Sequence, residues 1–224
     1  MIKREMGLRK DFPKRFAKLI FGLFLFAVAA SLTIQAKVGF APWDVFHVGL
    51  ASKLGLRIGF TNIIVGLVVL IITALLKEKI GLGSITNMFL VGVLMDLLLY
   101  NGVIPPSQSP LTGYIMFISG IIVMGFASYF YISAGFGSGP RDSLMVAIAR
   151  NTKLSIGASR FIIEASVTVI GYFLGGMVGL GTLIFVVLIG PSVHYVFMLF
   201  HYAPHRIKHE GLGETLSYLI KKDK

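Results

Sequence analysis

The chain has 224 residues, of which 55% are apolar and only 14% are charged. Soluble proteins carry about 25% charged residues, so this composition excludes an ordinary soluble domain. The lack of cysteine excludes disulfides, thiolate metal sites and cysteine nucleophiles. The net charge of +11 is concentrated at the ends, and residues 1–18 alone hold seven basic against two acidic side chains. Basic ends beside apolar segments are typical of membrane proteins. Nucleic acid is not an expected partner, because the sequence has no basic stripe with interleaved aromatic residues.

Six apolar blocks follow one another along the chain, and most are close to the ~20 residues that cross a hydrocarbon core of ~30 Å. Backbone polar groups in lipid must be paired within their own segment, so each block is expected to be a helix. The sequence therefore predicts an all-α polytopic protein of the lipid bilayer with about six transmembrane helices. The blocks are residues 16–36, 60–76, 82–100, 111–133, 161–174 and 180–200.

The sequence repeats itself at an offset of 98 residues, without a gap. A unit of this length is typical of a duplicated half-domain, which is how many membrane transporters are built. The predicted organisation is a basic tail 1–15, a first membrane repeat 16–100, an external linker 101–110, a second membrane repeat 111–200 and a basic tail 201–224. The pairs that carry the repeat include Gly39 and Gly137, Pro42 and Pro140, Asp44 and Asp142, Gly59 and Gly157, and Gly92 and Gly190.

Each half also contains one short segment, at residues 42–54 and 140–152. Thirteen residues make roughly 20 Å of helix, which is too short to cross, so both segments are predicted to be re-entrant or interfacial helices. Three crossings per half is an odd number, and the two halves are therefore predicted to be inverted relative to each other. The distribution of basic residues places both termini in the cytoplasm. In the second tail, residues 212–222 have the spacing of a short amphipathic helix.

The strongest local signals are the two Pro-x-Asp elements at the start of these short segments. Proline suits the first helical position, and Asp44 and Asp142 then fall at the third, where a carboxylate can accept from free N–H groups. One interpretation is that these acids only cap their helices. The other is that both helix starts point inward and form a substrate site from Asp44, Asp142, Arg141 and Trp43. In that site Arg141 would bind a carboxylate or phosphate through two hydrogen bonds, and Trp43 would stack on a ring or a cation. Both interpretations stay open, as does the reading of Trp43 and Arg141 as interfacial anchors.

Other polar side chains lie within the apolar blocks. Asp96 and His194 are related by the repeat offset and are candidates for a proton relay, although an inverted repeat would separate them by roughly 15 Å. A role as satisfied polar groups near the ends of their spans is the alternative. Arg160 and Glu164 are four residues apart on one helix face and are predicted to form an ion pair.

The paired glycines of the third and sixth spans have a simpler predicted use. Gly92 and Gly190 are expected to let these two spans approach each other closely. The spacing of Asp44, His47, Asp142 and His194 matches no metal-ligand motif, so neither a metal site nor a cofactor is expected.

Four short motifs resemble those of the YczE-like bacterial integral membrane proteins, which are more distantly similar to the YitT-like group. They are Ala-Pro-Trp-Asp at 41–44, Gly-Pro-Arg-Asp-Ser at 139–143, Gly-Leu-Gly-Thr at 179–182 and Ile-Gly-Pro at 189–191. The resemblance covers roughly residues 16–200. It implies a multi-pass protein of the bacterial cytoplasmic (inner) membrane, and it carries over no functional residues because the family has no established activity.

The expected function is an integral membrane transporter or channel for a small solute, and anions are among the candidate solutes. The expected site lies between the two Pro-x-Asp half-helices. The alternatives are a non-transporting accessory or scaffold protein, whose basic ends hold a partner or anionic lipid, and the substrate-capture subunit of an ATP-driven importer. A homo-oligomer or an accessory subunit stays open. An enzyme is not expected, because no catalytic motif is present in the sequence.

Overall fold

The computed structural model describes residues 11–202 and 210–220. This part of the chain is α-helical and contains no strand. The helices, numbered in chain order, are α1 Phe12–Gln35, α2 Pro42–Leu54, α3 Ile58–Leu75, α4 Leu82–Tyr100 (with a π-helical turn at Asn87–Val91), α5 Pro110–Ser133, α6 Pro140–Thr152, α7 Ile156–Phe173, α8 Leu180–Leu199 and α9 Leu212–Ile220.

Six of these helices are long and apolar enough to cross a membrane, namely α1, α3, α4, α5, α7 and α8. They contain 18 to 24 residues, whereas α2 and α6 contain 13 each and are too short to cross. The prediction of an all-α membrane protein with six spans is therefore confirmed.

The 98-residue repeat governs the local structure as well as the sequence. Shifting the bounds of α1, α2 and α3 by the repeat offset gives the bounds of α5, α6 and α7 to the residue. Proline occupies the first turn of α2 and α6, where its missing N–H is not needed. Both short helices end at a residue in the left-handed conformation, Gly55 at φ 65° and its equivalent Lys153 at φ 61°. The two halves therefore start and stop their helices by the same devices.

The contacts between the two halves come in pairs, and the members of each pair are related by the repeat offset. Helices α1 and α5 pack on each other, α2 packs on α7, and α6 packs on α3. The backbone N–H of Gly83 donates to the carbonyl of Phe136 at 2.7 Å, and the equivalent N–H of Gly181 donates to the carbonyl of Val38 at 2.8 Å. Each short helix is therefore held mainly by the long helices of the other half.

The prediction that Gly92 and Gly190 bring the third and sixth spans close together is wrong. Gly92 of α4 instead faces Gly59 of α3 in its own half, and a Cβ on Gly92 would lie 2.5 Å from the Gly59 carbonyl oxygen. We call this crossing the α3–α4 contact. The equivalent residues on α7 and α8 are separated, because a Cβ on Gly157 or on Gly190 would meet no atom within 4 Å. We call this the α7–α8 gap.

The segment 210–220 docks on one end of the helix bundle. The Glu210 carboxylate pairs with Arg15 of α1 at 2.8 Å, and its backbone N–H donates to the carbonyl of Gly135 at 3.0 Å. The N–H of Leu212 donates to the carbonyl of Ile80 at 2.9 Å. The tail helix that was predicted for 212–222 thus begins at the expected residue. Its apolar side chains after residue 215 lie outside the described part of the structure, and so do residues 221–222.

Candidate functional site

A cavity of about 180 Å³ lies where the N-terminal ends of α2 and α6 meet. Its walls reproduce the repeat, because ten pairs of lining residues are related by the repeat offset. Three of these pairs are polar or charged, and they are Trp43 and Arg141, Asp44 and Asp142, and Asn62 and Arg160. A cavity lined by equivalent residues of both halves lies between them, as the ligand sites of repeat transporters do.

Arg141 reaches from α6 across to the start of α2. Its guanidinium lies 5.1 Å from the centre of the Trp43 ring and donates to the amide oxygen of Asn62 at 3.1 Å. The same nitrogen lies 3.9 Å from the carboxylate of Asp44 and 3.3 Å from Nδ1 of His47. Trp43 and Arg141 are therefore stacked on each other inside the protein, which does not match the alternative of two separate interfacial anchors.

The two aspartates of the Pro-x-Asp elements have different surroundings. Asp44 is only 2% exposed and faces Arg141 and His47. Asp142 is exposed, lines the cavity, and makes no hydrogen bond or ion pair with any residue that the structure describes. Within the same described residues, neither carboxylate accepts a hydrogen bond from its own helix start. The geometry therefore favours the interpretation that these acids face a site over the interpretation that they cap helices.

Arg160 and Glu164 of α7 form the outer wall of the cavity. Arg160 Nε donates to Glu164 Oε1 at 2.9 Å. The Arg160 side chain is 46% exposed, whereas its repeat equivalent Asn62 is buried. Asp142 is likewise exposed and its equivalent Asp44 is buried, so the cavity is open on the side of α7 and closed on the side of α3.

Two polar groups that line the cavity have no partner in the described structure. They are the indole N–H of Trp43 and the hydroxyl of Tyr131, whose residues are 6% and 2% exposed. Buried donors without a partner are rare and point to a ligand or an ordered water at that place. Tyr131 was not identified from the sequence, because a tyrosine within an apolar span carries no local signal. Asn62 could have been found, because it is the repeat equivalent of Arg160.

The predicted relay residues Asp96 and His194 do not line the cavity. Asp96 accepts hydrogen bonds from the N–H groups of Gly59 at 2.8 Å and Phe60 at 3.1 Å. It therefore caps α3 across the α3–α4 contact, which gives this acid a structural role. His194 is exposed on α8, beside the α7–α8 gap. The relay stays a prediction without a contact between its two members.

The charges that face the cavity do not favour an anion. Asp44, Asp142 and Glu164 provide three negative charges against the two positive charges of Arg141 and Arg160. Within the described residues there is also no group of three or more histidine or acidic side chains that could hold a metal ion. The cavity has room for a small solute between the two half-helices, and its lining combines polar groups with apolar walls.

Comparison with known proteins gives a family without an assigned activity. A family of unknown function, DUF6198, matches residues 13–198. An uncharacterized membrane protein of Bacillus subtilis, YczE, is 34% identical over 196 residues, which make up 87% of this chain and 87% of YczE. An uncharacterized protein of Haemophilus influenzae is 30% identical over 192 residues, or 86% of this chain and 87% of that protein. No solved structure matches the chain. The chain is therefore a membrane protein that belongs to the DUF6198 family, and its similarity to YczE confirms the resemblance that its motifs predicted.

Proposed function

We propose that the protein is a transporter of a small solute, which binds in the central cavity and gains access to it from each side of the membrane in turn. The two half-helices that start at the cavity, the pairs of equivalent residues that line it and the unpartnered polar groups within it support a ligand site at this place. The proposal assigns no catalysed reaction and no cofactor to the chain.

The observation that carries the proposal is the difference between the α3–α4 contact and the α7–α8 gap. Gly59 and Gly92 are in close contact, while the identical residues Gly157 and Gly190 of the other half are apart. Because the glycines at the two crossings are identical, each crossing has room for either arrangement. Exchanging the arrangements between the halves would close the present opening and create another on the opposite side, which is how repeat transporters alternate access.

This proposal includes an inverted repeat. Each half contributes three long helices, so the second half enters the membrane from the side on which the first ends. The proposed location is the bacterial cytoplasmic (inner) membrane with both termini in the cytoplasm, as the basic ends favour. The start of α7 and the docked segment 210–220 then lie on the cytoplasmic side, and the present opening faces the cytoplasm.

The rival functions make different predictions. A scaffold protein requires only one arrangement of its helices and has no use for a cavity lined by both halves. The substrate-capture subunit of an importer requires a partner ATPase, and co-purification with one would favour it.

The closing of the α7–α8 gap can be tested by disulfide trapping, since the natural chain has no cysteine. In the α3–α4 contact, a Cβ on Gly59 would lie 2.8 Å from Cγ of Asp96. Cysteines at the equivalent positions, Gly157→Cys with His194→Cys, would therefore reach the Cβ separation of about 3.5–4.5 Å that a disulfide needs, but only if the gap closes. We expect oxidation in membranes to cross-link this pair. The cross-link should then stop the cavity from opening to the two sides of the membrane in turn.

Two controls make the result specific. The single variants Gly157→Cys and His194→Cys should give no intramolecular cross-link, and reduction should restore exchange in the double variant. If the double variant is inserted, reacts with a thiol reagent and yet never cross-links, the proposed alternation is refuted and the scaffold function is favoured.

A further inference from the structure

The charged groups of the cavity leave one carboxylate without an ion pair or a hydrogen bond among the described residues, although Arg160 and Arg141 lie close enough to attract it. Arg141 is matched by Asp44 at 3.9 Å, and Arg160 by Glu164 at 2.9 Å. Asp142 is the remaining charged group of the lining, and it has no ion pair or hydrogen bond within the described structure. Asp142 is exposed at the open side of the cavity, so its carboxylate is free to meet a cation that enters from that side, and an acid within a membrane domain is a site hypothesis by default.

Arg141 forms no ion pair with Asp142, because its guanidinium is held from several other sides. The Trp43 ring covers it, Asn62 and His47 bind one of its nitrogens, and Asp44 balances its charge. Arg141 thus belongs to the wall of the cavity and joins the starts of the two half-helices.

The apolar part of the cavity indicates that the cation is organic. Apart from its polar groups, the cavity is lined by methionine, aliphatic and aromatic side chains, among them Met95, Met124, Phe185 and Ile189. Such walls match alkyl groups, and aromatic faces attract ammonium ions. The cavity of about 180 Å³ is smaller than the ~300 Å³ at which sites for drug-sized molecules begin. A bare metal ion is not matched, because the described residues offer no cluster of metal ligands.

The hydroxyl of Tyr131 supplies a polar contact within reach of the same helix start. It is buried and unpartnered, and a Cβ on Gly139, at the start of α6, would lie 3.1 Å from it. A hydroxyl oxygen can accept a hydrogen bond from an ammonium N–H. Asp142 and Tyr131 therefore offer one charged and one neutral acceptor in the lining of a mainly apolar cavity.

We propose that the cavity binds a small monovalent organic cation, an amine or quaternary ammonium with short alkyl groups, with Asp142 as its counter-charge and, for an amine, the Tyr131 hydroxyl as a hydrogen-bond acceptor. This inference rests on the proposed function in taking the cavity as the site of a transported ligand.

The test is the thermal stability of the purified full chain with defined probes, because a ligand that binds only the folded state raises the melting temperature. Butylammonium and tetraethylammonium are expected to raise it, whereas butyrate and sodium are not. Asp142→Asn is expected to weaken the cation affinity about tenfold to a hundredfold, since a charge-assisted contact is lost. Tyr131→Phe should weaken the binding of butylammonium, which has N–H donors, and leave the affinity for tetraethylammonium unchanged.

Asp11→Asn is the matched control, because Asp11 is an exposed acid outside the spans and should not affect binding. If Asp142→Asn does not fold, Asp142→Glu carries the test, and the longer side chain should change the preference between the two probes. Stabilisation by butyrate instead of the cations, or a cation effect that no Asp142 variant alters, would overturn the inference. Cross-linking of the α7–α8 gap does not depend on a ligand, so failure of cation binding and failure of alternation can be told apart.

Discussion

The substitution Gly157→Ala should block one state of the protein and leave the other intact. In the present structure nothing lies within 4 Å of a Cβ on Gly157, so alanine fits without strain. When the gap closes, residue 157 would be placed as Gly59 is now. A Cβ on Gly59 overlaps the carbonyl oxygen of Gly92, and alanine at 157 would meet Gly190 in the same way.

The size of this effect follows from the cost of an added methyl group in a tight contact. Overpacking costs about 1–3 kcal/mol, and each 1.4 kcal/mol changes an equilibrium about tenfold. The population of the closed-gap state should therefore fall about fivefold to 150-fold. Alanine also favours a helix over glycine by about 1 kcal/mol, but this gain applies in both states and cancels from the equilibrium.

Thiol labelling measures this population, because the natural chain has no cysteine. Val91 is buried and lines the cavity, so a Val91→Cys side chain reports whether the cavity is open. A membrane-impermeant reagent on the side of the α3–α4 contact should label it only in the closed-gap state. Adding Gly157→Ala should slow this labelling about fivefold to 150-fold. The melting temperature should stay the same or rise.

Gly59→Ala is the matched substitution in the other half and should act in the opposite direction. Its methyl group overlaps Gly92 in the present state, so it should lower the stability of this state and speed the same labelling. If both substitutions leave the labelling rate unchanged, the two crossings do not exchange and the proposed alternation is wrong.

Three further substitutions test the roles of single acids. Asp142→Asn should abolish transport while the protein is inserted at normal levels, as quantified in membranes, and its loss from the membrane would favour a structural role. Asp96→Ala should lower the unfolding free energy by about 1–2 kcal/mol, since it removes the cap of α3, whereas the equivalent His194→Ala should change the melting temperature little. Glu210→Gln should lower stability by about 1–3 kcal/mol through the pair with Arg15, and an equal melting temperature would refute that contact.

Much of the fold could be predicted from the sequence because its signals are local. The length of an apolar block decides whether a helix can cross the membrane, and proline and glycine mark where the helices begin and end. The short segments 42–54 and 140–152 were predicted with the bounds of α2 and α6. The site was partly predictable for the same reason, since the Pro-x-Asp elements place Asp44 and Asp142 at the two helix starts.

The sequence alone determined a repeated set of helices, with two acids at equivalent places, because hydropathy, helix length and turn residues act within a few residues of the chain. Only the tertiary structure decided that Arg141 lies on Trp43, that Asp142 is unpaired, and that Gly59 meets Gly92 while Gly157 and Gly190 are apart. The glycines are identical in both halves, so the glycines alone cannot distinguish a closed crossing from an open one. That difference arises from contacts between segments that are distant in sequence, such as the hydrogen bonds that Asp96 accepts from Gly59 and Phe60.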